Sequence, residues 1–270
     1  MSSGGRDFTL MGVVNVTPDS FSDGGLFLAP DAAIAHGLEL AAQGAGILDV
    51  GGESTRPGAA PVSADEERAR VVPVIEGLIA RRVQARISVD TSKSVVASAA
   101  LDAGASIVND VTALRASPEI AGLVANRDAG LCLMHMLGEP RTMQLDPRYD
   151  DVVADVKRFL EQRLAFAVSE GVPEERIMLD PGIGFGKTLA HNLELLERLP
   201  ELMSIGRPIV IGTSRKSFIG RLTGREVDRR LAGTIATNVL AYERGARIFR
   251  VHEVEPLLDA LTVTAATVNR

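Results

Sequence analysis

The chain of 270 residues contains one cysteine, no tryptophan and only 4% aromatic residues. A lone thiol cannot close an internal disulfide, which excludes a disulfide-stapled scaffold. That thiol, Cys132, stands in the apolar run Gly130-Leu-Cys-Leu-Met134, where a buried, inert packing role is expected rather than a nucleophilic one. No apolar run approaches the roughly 18 to 20 residues of a membrane span. Met1-Ser-Ser-Gly-Gly-Arg6 has no apolar stretch behind it that would read as a secretory signal, so a cytoplasmic protein without membrane contact is expected. The net charge is −6, and basic residues cluster only in pairs such as Arg81-Arg82 and Arg229-Arg230. No nucleic-acid footprint is therefore expected. Lysine is scarce: only 4 of the 29 basic residues are lysine, and three of these, Lys93, Lys187 and Lys216, fall in segments rich in Gly, Asp and Ser.

What the sequence has is alternation. Short apolar runs expected as strands cover 9–15, 45–50, 86–89, 106–109, 130–134, 177–179, 208–211 and 247–251. Amphipathic stretches expected as helices cover 31–43, 64–82, 94–103, 117–127, 149–170, 191–199, 228–244 and 255–268. Near-continuous apolar strands separated by helices imply a parallel sheet buried on both faces. Eight such pairs in this length, with no domain-sized remainder, predict a single α/β domain, a (β/α)8 TIM barrel spanning residues 1–270. Ser63-Ala-Asp-Glu66 reads as a capping box, and Gly44, Gly104, Gly130, Gly171 and Gly245 are expected as left-handed helix ends. Long loops follow strands 1, 2 and 5, at 17–30, 53–63 and 138–150, on the face where such barrels build their sites.

Each strand ends on polar residues: Asn15, Asp49 with Glu53, Asp90, Asn109-Asp110, His135, Asp180, Ser214-Arg215-Lys216, and Arg250 with His252. In a parallel barrel these ends converge on one mouth. Asp90, Asn109, Asp180 and Lys216 supply carboxylates, an amide and one long donor, a match for a planar heterocycle with an amino-amidine edge and a carbonyl. Thr55, Arg56, Arg250 and His252, among Gly51, Gly52 and Gly58, form a donor-rich set suited to a phosphate-like tail. Asn15 and the loop Thr17-Pro-Asp-Ser-Phe-Ser-Asp-Gly-Gly25 offer hard oxygens of the kind Mg²⁺ uses beside substrate phosphates, although such loops are commonly plain turns.

Other motifs fail on spacing. Pro181-Gly-Ile-Gly-Phe-Gly-Lys-Thr188 has Pro181 where a P-loop requires its first glycine. No cysteine–histidine cluster suits zinc, and no Gly-x-Ser-x-Gly elbow suits a serine hydrolase. His36 and His191 lie in helical stretches and are expected to pack or face solvent, while His135 is open to either packing or ligand contact.

Eight separated motifs then agree in order with one family. Met11-Gly-Val-Val-Asn-Val-Thr-Pro-Asp-Ser-Phe-Ser-Asp-Gly-Gly25 and Asp49-Val-Gly-Gly-Glu-Ser-Thr-Arg-Pro-Gly58 resemble the signature loops of the dihydropteroate synthase family. Ser88-Val-Asp-Thr91, Ile107-Val-Asn-Asp110, Leu133-Met-His-Met136, Leu179-Asp-Pro-Gly-Ile-Gly-Phe-Gly-Lys187, Gly212-Thr-Ser-Arg-Lys-Ser217 and Arg250-Val-His252 extend the resemblance to the last strand. It implies a homodimeric pterin-binding barrel that condenses 6-hydroxymethyl-7,8-dihydropterin diphosphate with 4-aminobenzoate, with Mg²⁺, in folate synthesis. By the same resemblance, Asp90, Asn109, Asp180 and Lys216 hold the pterin with Met134 against its ring. Thr55, Arg56, Arg250 and His252 hold the diphosphate, and Asn15 contacts Mg²⁺. Phe21, Pro57, Phe185 and Ser217 surround the aminobenzoate. Asp90, Lys216, Arg250 and His252 are the expected catalytic set. A methyltetrahydrofolate–corrinoid methyltransferase would share the acidic pocket but has no use for the two aminobenzoate segments. A non-catalytic pterin-binding paralogue would carry the same residues.

Overall fold

Alternate residues of each strand face opposite ways, and here both directions lead into apolar surroundings. A computed structural model of the chain describes residues 6–17, 29–54, 59–139 and 141–268. Its elements run β1 (Thr9–Asn15), α1 (Ala29–Ala42), β2 (Ile47–Gly51), α2 (Ala64–Ala80), β3 (Arg86–Asp90), α3 (Ser94–Asp102), β4 (Ile107–Asp110), α4 (Ile120–Asn126) and β5 (Gly130–Met134). They continue with α5 (Val152–Ser169), β6 (Ile177–Asp180), α6 (Leu189–Glu197), α7 (Leu199–Met203), β7 (Val210–Ile211), α8 (Ser217–Thr223), α9 (Leu231–Glu243), β8 (Ile248–Val251) and α10 (Val254–Val268). The eight strands form one sheet in the order β6-β5-β4-β3-β2-β1-β8-β7, with every neighbouring pair parallel. A bridge between Leu179 and Ile209 joins its two edges and closes the barrel.

The outward strand residues, among them Leu48, Val50, Ile87, Val89, Leu131 and Phe249, join helix residues such as Val71, Ile75, Leu78, Leu160 and Leu257 in one buried layer. Each fully buried side chain of this size contributes about 1.5–3 kcal/mol. The inward residues Met11, Ile47, Ile107, Cys132, Met178 and Val210 form a second, separate cluster that plugs the barrel. Two residues further along the strands the inward positions become Asp49, Asn109, Met134, Asp180 and Arg250. The apolar plug thus forms the floor of a polar chamber.

Helix ends follow the expected chemistry. Ser63 accepts from Glu66 N–H at α2, and Asp151 accepts from Val153 and Ala154 N–H at α5. Gly44, Gly104, Gly171 and Gly245 take left-handed φ values of 93° to 111°. Gly130 does not: it begins β5, and Asp128 (φ 57°) makes the left-handed turn instead. The expected helix over 191–199 is two helices that meet at Arg198, with Pro200 in the first turn of the second. The seven-residue α8 was not anticipated, being too short to display a helical period. Among the described residues no helix is long and apolar enough to cross a membrane.

Candidate active site

Three inward carboxylates and one guanidinium form the centre of the chamber. Arg250 donates from Nε to Asp49 Oδ2 at 2.6 Å and from Nη2 to Asp90 Oδ2 at 2.7 Å. Asn109 Nδ2 donates to the same Asp49 oxygen at 3.1 Å. Burial alone would lower the Arg250 guanidinium, but Asp49, Asp90 and Asp180 outweigh it and hold the group above its ordinary value. Asp90 feels the opposite balance. Burial raises its carboxyl to about 7 and Arg250 opposes the shift, while Asp49, Glu67 and Asp110 add to it. Asp180 is likewise raised by burial, against the pull of Lys216, the Gly182 N–H, Arg250 and Lys187.

Lys216 approaches this chamber from the loop after β7. Its ammonium donates to the carbonyl of Ile183 and stands 4.4 Å from the centre of the Phe185 ring. Burial lowers it to about 8; Asp180 resists that shift, and Arg250 adds to it. Met134 is buried in a cluster with Val111, Met136 and Met143, against which Phe185 packs. This apolar wall beside the carboxylates can accept the face of a flat ring. Ser217 follows Lys216 as the exposed first residue of α8. Asn15 ends β1, half-buried, and His252 lies just past β8 with its Nδ1 at 2.9 Å from Ser214 Oγ.

Glycines in the loop after β6 serve close approach rather than phosphate binding. A side chain on Gly182 (φ 67°) would strike the His135 carbonyl oxygen, and one on Gly184 (φ 84°) would press on Lys216. Gly182 N–H donates to Asp180 Oδ1 at 2.7 Å, fixing that carboxylate.

Asp90, Asn109, Met134, Asp180, Phe185, Lys216 and Arg250 therefore share one chamber, with Asn15 and His252 at the ends of β1 and β8 and Ser217 at the start of α8. Thr55, Arg56, Pro57 and Phe21 lie outside the described residues. Arg250, expected in the anion-binding set, places its guanidinium between the Asp49 and Asp90 carboxylates. Asp49, expected among the polar strand ends but given no ligand role, joins the chamber through Arg250 and Asn109. Asp110, by contrast, turns away to accept from Thr112 N–H, Thr112 Oγ and Leu114 N–H.

His135 and His191 have structural partners. His135 is buried, packs edge-on to Phe159 at 4.8 Å and lies 2.9 Å from the buried Lys187 Nζ. Burial, then Lys187 and Arg115, push His135 down to about 2, and burial with Lys216 holds Lys187 well below its ordinary value. His191 caps α6 together with Thr188. Burial drives the Cys132 thiol far up, consistent with an inert group. Among the described residues no group of three His, Cys, Asp or Glu side chains could hold a metal ion.

Residues 11–252 match the family model described as pterin binding enzyme. A dihydropteroate synthase of Escherichia coli strain K12 is 47% identical over 262 residues, covering 96% of this chain and 92% of its own. A Xanthomonas albilineans dihydropteroate synthase solved with 4-aminobenzoic acid superposes with a TM-score of 0.90 at 51% identity, covering 96% of this chain and 92% of that one. The same enzyme in complex with 7,8-dihydropteroate gives a TM-score of 0.87 at 48% identity, over 96% and 93% of the two chains. With this agreement in sequence and in barrel, the chain belongs to the dihydropteroate synthase family of pterin-binding enzymes.

Proposed function

We propose that the protein condenses 6-hydroxymethyl-7,8-dihydropterin diphosphate with 4-aminobenzoate to give 7,8-dihydropteroate and diphosphate, a step of folate synthesis. The observation that carries this reading is the chamber itself: Asp49, Asp90, Asn109 and Asp180 around Arg250, with Lys216 above and the Met134 wall beside. Such carboxylates accept the N–H groups of an amino-amidine edge, and Lys216 donates to a ring carbonyl. Solved relatives that hold 4-aminobenzoic acid and 7,8-dihydropteroate support it.

The reaction breaks the bond between the pterin methylene and the diphosphate oxygen and forms a carbon–nitrogen bond to the arylamine, which then sheds a proton. Positive charge develops on the electron-rich pterin as the leaving group departs. Ionised Asp90, preset beside the ring in a poorly solvated chamber, stabilises that charge without reorganisation. Arg250 holds Asp49 and Asp90 in place and reaches the departing anion, and His252 together with Thr55 and Arg56 completes the anion set. Phe185, Ser217, Phe21 and Pro57 orient the aminobenzoate, so the protein's part is positioning rather than nucleophilic attack.

Asn15 fits a Mg²⁺ role in one respect: it is a half-buried amide at the mouth, and this ion needs few protein oxygens when substrate phosphates supply the rest. Bound there with the diphosphate, Mg²⁺ would offset charge on the leaving group. Homodimer formation and a cytoplasmic setting belong to the same proposal and rest on the family resemblance.

The test is direct. The purified protein, incubated with the pterin diphosphate, 4-aminobenzoate and Mg²⁺, should yield dihydropteroate and diphosphate in equal amounts. A folded protein that binds the pterin but makes no product would reject the reading.

A further inference from the structure

The Ser214 hydroxyl occupies a place that the reaction above does not use. It is 7% exposed and lies in the turn that follows β7. That turn is pinned at several points. Lys216 N–H closes it on the Thr213 carbonyl at 3.1 Å, and Arg215 takes a left-handed φ of 58°. Arg215 N–H donates to Thr234 Oγ1 at 3.1 Å, and Arg230 Nη1 donates to the Arg215 carbonyl at 3.0 Å. Beneath it, Thr213 Oγ1 accepts from Asn238 Nδ2 at 3.0 Å and from Thr237 Oγ1 at 2.9 Å. The hydroxyl is thus delivered to a fixed point by a rigid support.

Three groups of the segment after β8 meet it there. His252 N–H donates to Ser214 Oγ at 3.2 Å, His252 Nδ1 lies 2.9 Å away, and Glu253 Oε2 lies 3.5 Å away. Glu253 is already committed to the Arg215 guanidinium through Oε1. A serine hydroxyl has one proton and two lone pairs. The backbone N–H occupies one lone pair, and the shorter of the two remaining contacts takes the proton. That contact is His252 Nδ1. A ring nitrogen that accepts a hydrogen bond carries no proton, so the single N–H of the neutral imidazole sits on Nε2. The reverse arrangement would have Ser214 accept twice and turn its proton toward the more distant carboxylate.

We propose that Ser214 is a positioning residue that holds His252 as its Nε2–H tautomer, so that His252 meets the anionic end of the substrate as a neutral, oriented hydrogen-bond donor. The anionic partner rests on the proposed function; the tautomer does not. Fixing a ring through its second nitrogen is the device by which outer partners orient histidine ligands at metal centres.

The test separates these two parts. The chain has four histidines, so ¹⁵N-detected imidazole spectra of the free protein can be assigned with His252→Gln. The wild type should show Nδ1 as the unprotonated nitrogen and Nε2 as N–H. In Ser214→Ala the ring should become a tautomer mixture, and Ser214→Thr should restore the single form. The KM for the pterin diphosphate should rise about three- to tenfold in Ser214→Ala, the range of one lost hydrogen bond, with the KM for 4-aminobenzoate unchanged. A wild-type spectrum with the proton on Nδ1 overturns the proposal even if the alanine variant fails to fold. An Ser214→Ala protein with unaltered spectrum and kinetics overturns it too. If instead His252→Gln leaves affinity for the pterin diphosphate untouched, the anion-binding role fails while the spectra still decide the tautomer.

Discussion

Arg250 and Asp90 stand 160 positions apart in the chain, and their side chains meet at 2.7 Å across the barrel interior. The same guanidinium grips Asp49, whose side chain is wholly buried. One cation thus answers two carboxylates in a place that water reaches poorly, and the remaining Asp49 oxygen, Oδ1, has no partner within the described residues. This arrangement holds negative charge close to where a ring must sit, at a cost to the stability of the folded chain.

That cost makes Asp90→Asn informative in two directions. The folded Asp90 carboxyl lies near 7, above the ordinary value that applies to the unfolded chain. A group raised in this way favours folding while protonated, and that contribution is lost as pH rises through about 7. The variant should therefore melt higher than wild type at pH 8, by on the order of 1–3 kcal/mol, and match it only below about pH 4, where the carboxyl of the unfolded chain is protonated too. Turnover should move the other way. A lost preset charge should lower kcat about 10²–10³-fold while the pterin substrate still binds. For the wild type, kcat/KM should decline as pH falls through about 7. Equal losses of binding and turnover would count against an electrostatic role for Asp90.

Arg250→Met should act through the carboxylates it abandons. Removing one partner from a buried ion pair leaves the other uncompensated, a loss of about 3–5 kcal/mol. Urea denaturation should show this loss, and calorimetry should show much weaker binding of the pterin diphosphate. Arg250→Lys should rescue neither fully, because Nε and Nη2 reach two different carboxylates and an ammonium lacks that planar fork. Full rescue by lysine would reduce Arg250 to a point charge.

A second buried charge supports the neighbouring loop. Lys93 donates to Glu53 Oε2 at 2.6 Å and to Glu67, and Glu53 also accepts from Val62 N–H at 2.8 Å. The Glu67 side chain is wholly buried, and Lys93 is partly exposed. Burial acts to lower the Lys93 ammonium, yet the bonds to Glu53 and Glu67 leave it above its ordinary value. Its contribution is then complete below the ordinary lysine range and is lost only as pH rises through the folded value. At neutral pH Lys93→Met should cost roughly 2–4 kcal/mol, less than a fully buried pair because Lys93 keeps some solvent. Adding Glu67→Gln should recover much of that loss, and strict additivity of the two changes in thermal melts would refute the coupling.

The barrel was legible because its signal is local. Eight apolar runs, the Ser63 cap and most helix-ending glycines act within a few residues of themselves, so a linear reading finds them. Strand parity is legible as well, since Ile47, Ile107 and Met178 share one face with Asp49, Asn109 and Asp180 two places on. What escaped were relations between distant segments. Asp49 reads as a polar strand end, but its partner Arg250 lies 201 positions away and shows only in the fold. His135 is open in sequence to either packing or ligand contact; tertiary packing buries it and turns it toward the equally buried Lys187. No spacing rule encodes a partner 52 residues away, because the loops between them set the geometry.

Two glycines, Gly184 in the loop after β6 and Gly206 in the turn after α7, offer the cleanest separation of backbone strain from site geometry. Gly184 (φ 84°) and Gly206 (φ 82°) adopt nearly the same left-handed backbone. A methyl group on Gly206 would meet nothing within 4 Å, whereas one on Gly184 would lie 3.0 Å from Lys216 Cδ and 3.7 Å from its Nζ. Alanine at either position should bear the left-handed penalty of about 1–2 kcal/mol, so the two variants should lose similar stability in urea. Only Gly184→Ala should displace the Lys216 ammonium from its seat over Phe185 and weaken pterin binding, by about tenfold if one charge-assisted hydrogen bond is lost. Gly206→Ala thus corrects for strain, and the remaining difference measures what the position of Lys216 is worth. Identical pterin affinity in the two variants would mean that Lys216 holds no substrate, and the heterocycle would then rest on the carboxylates and Asn109 alone.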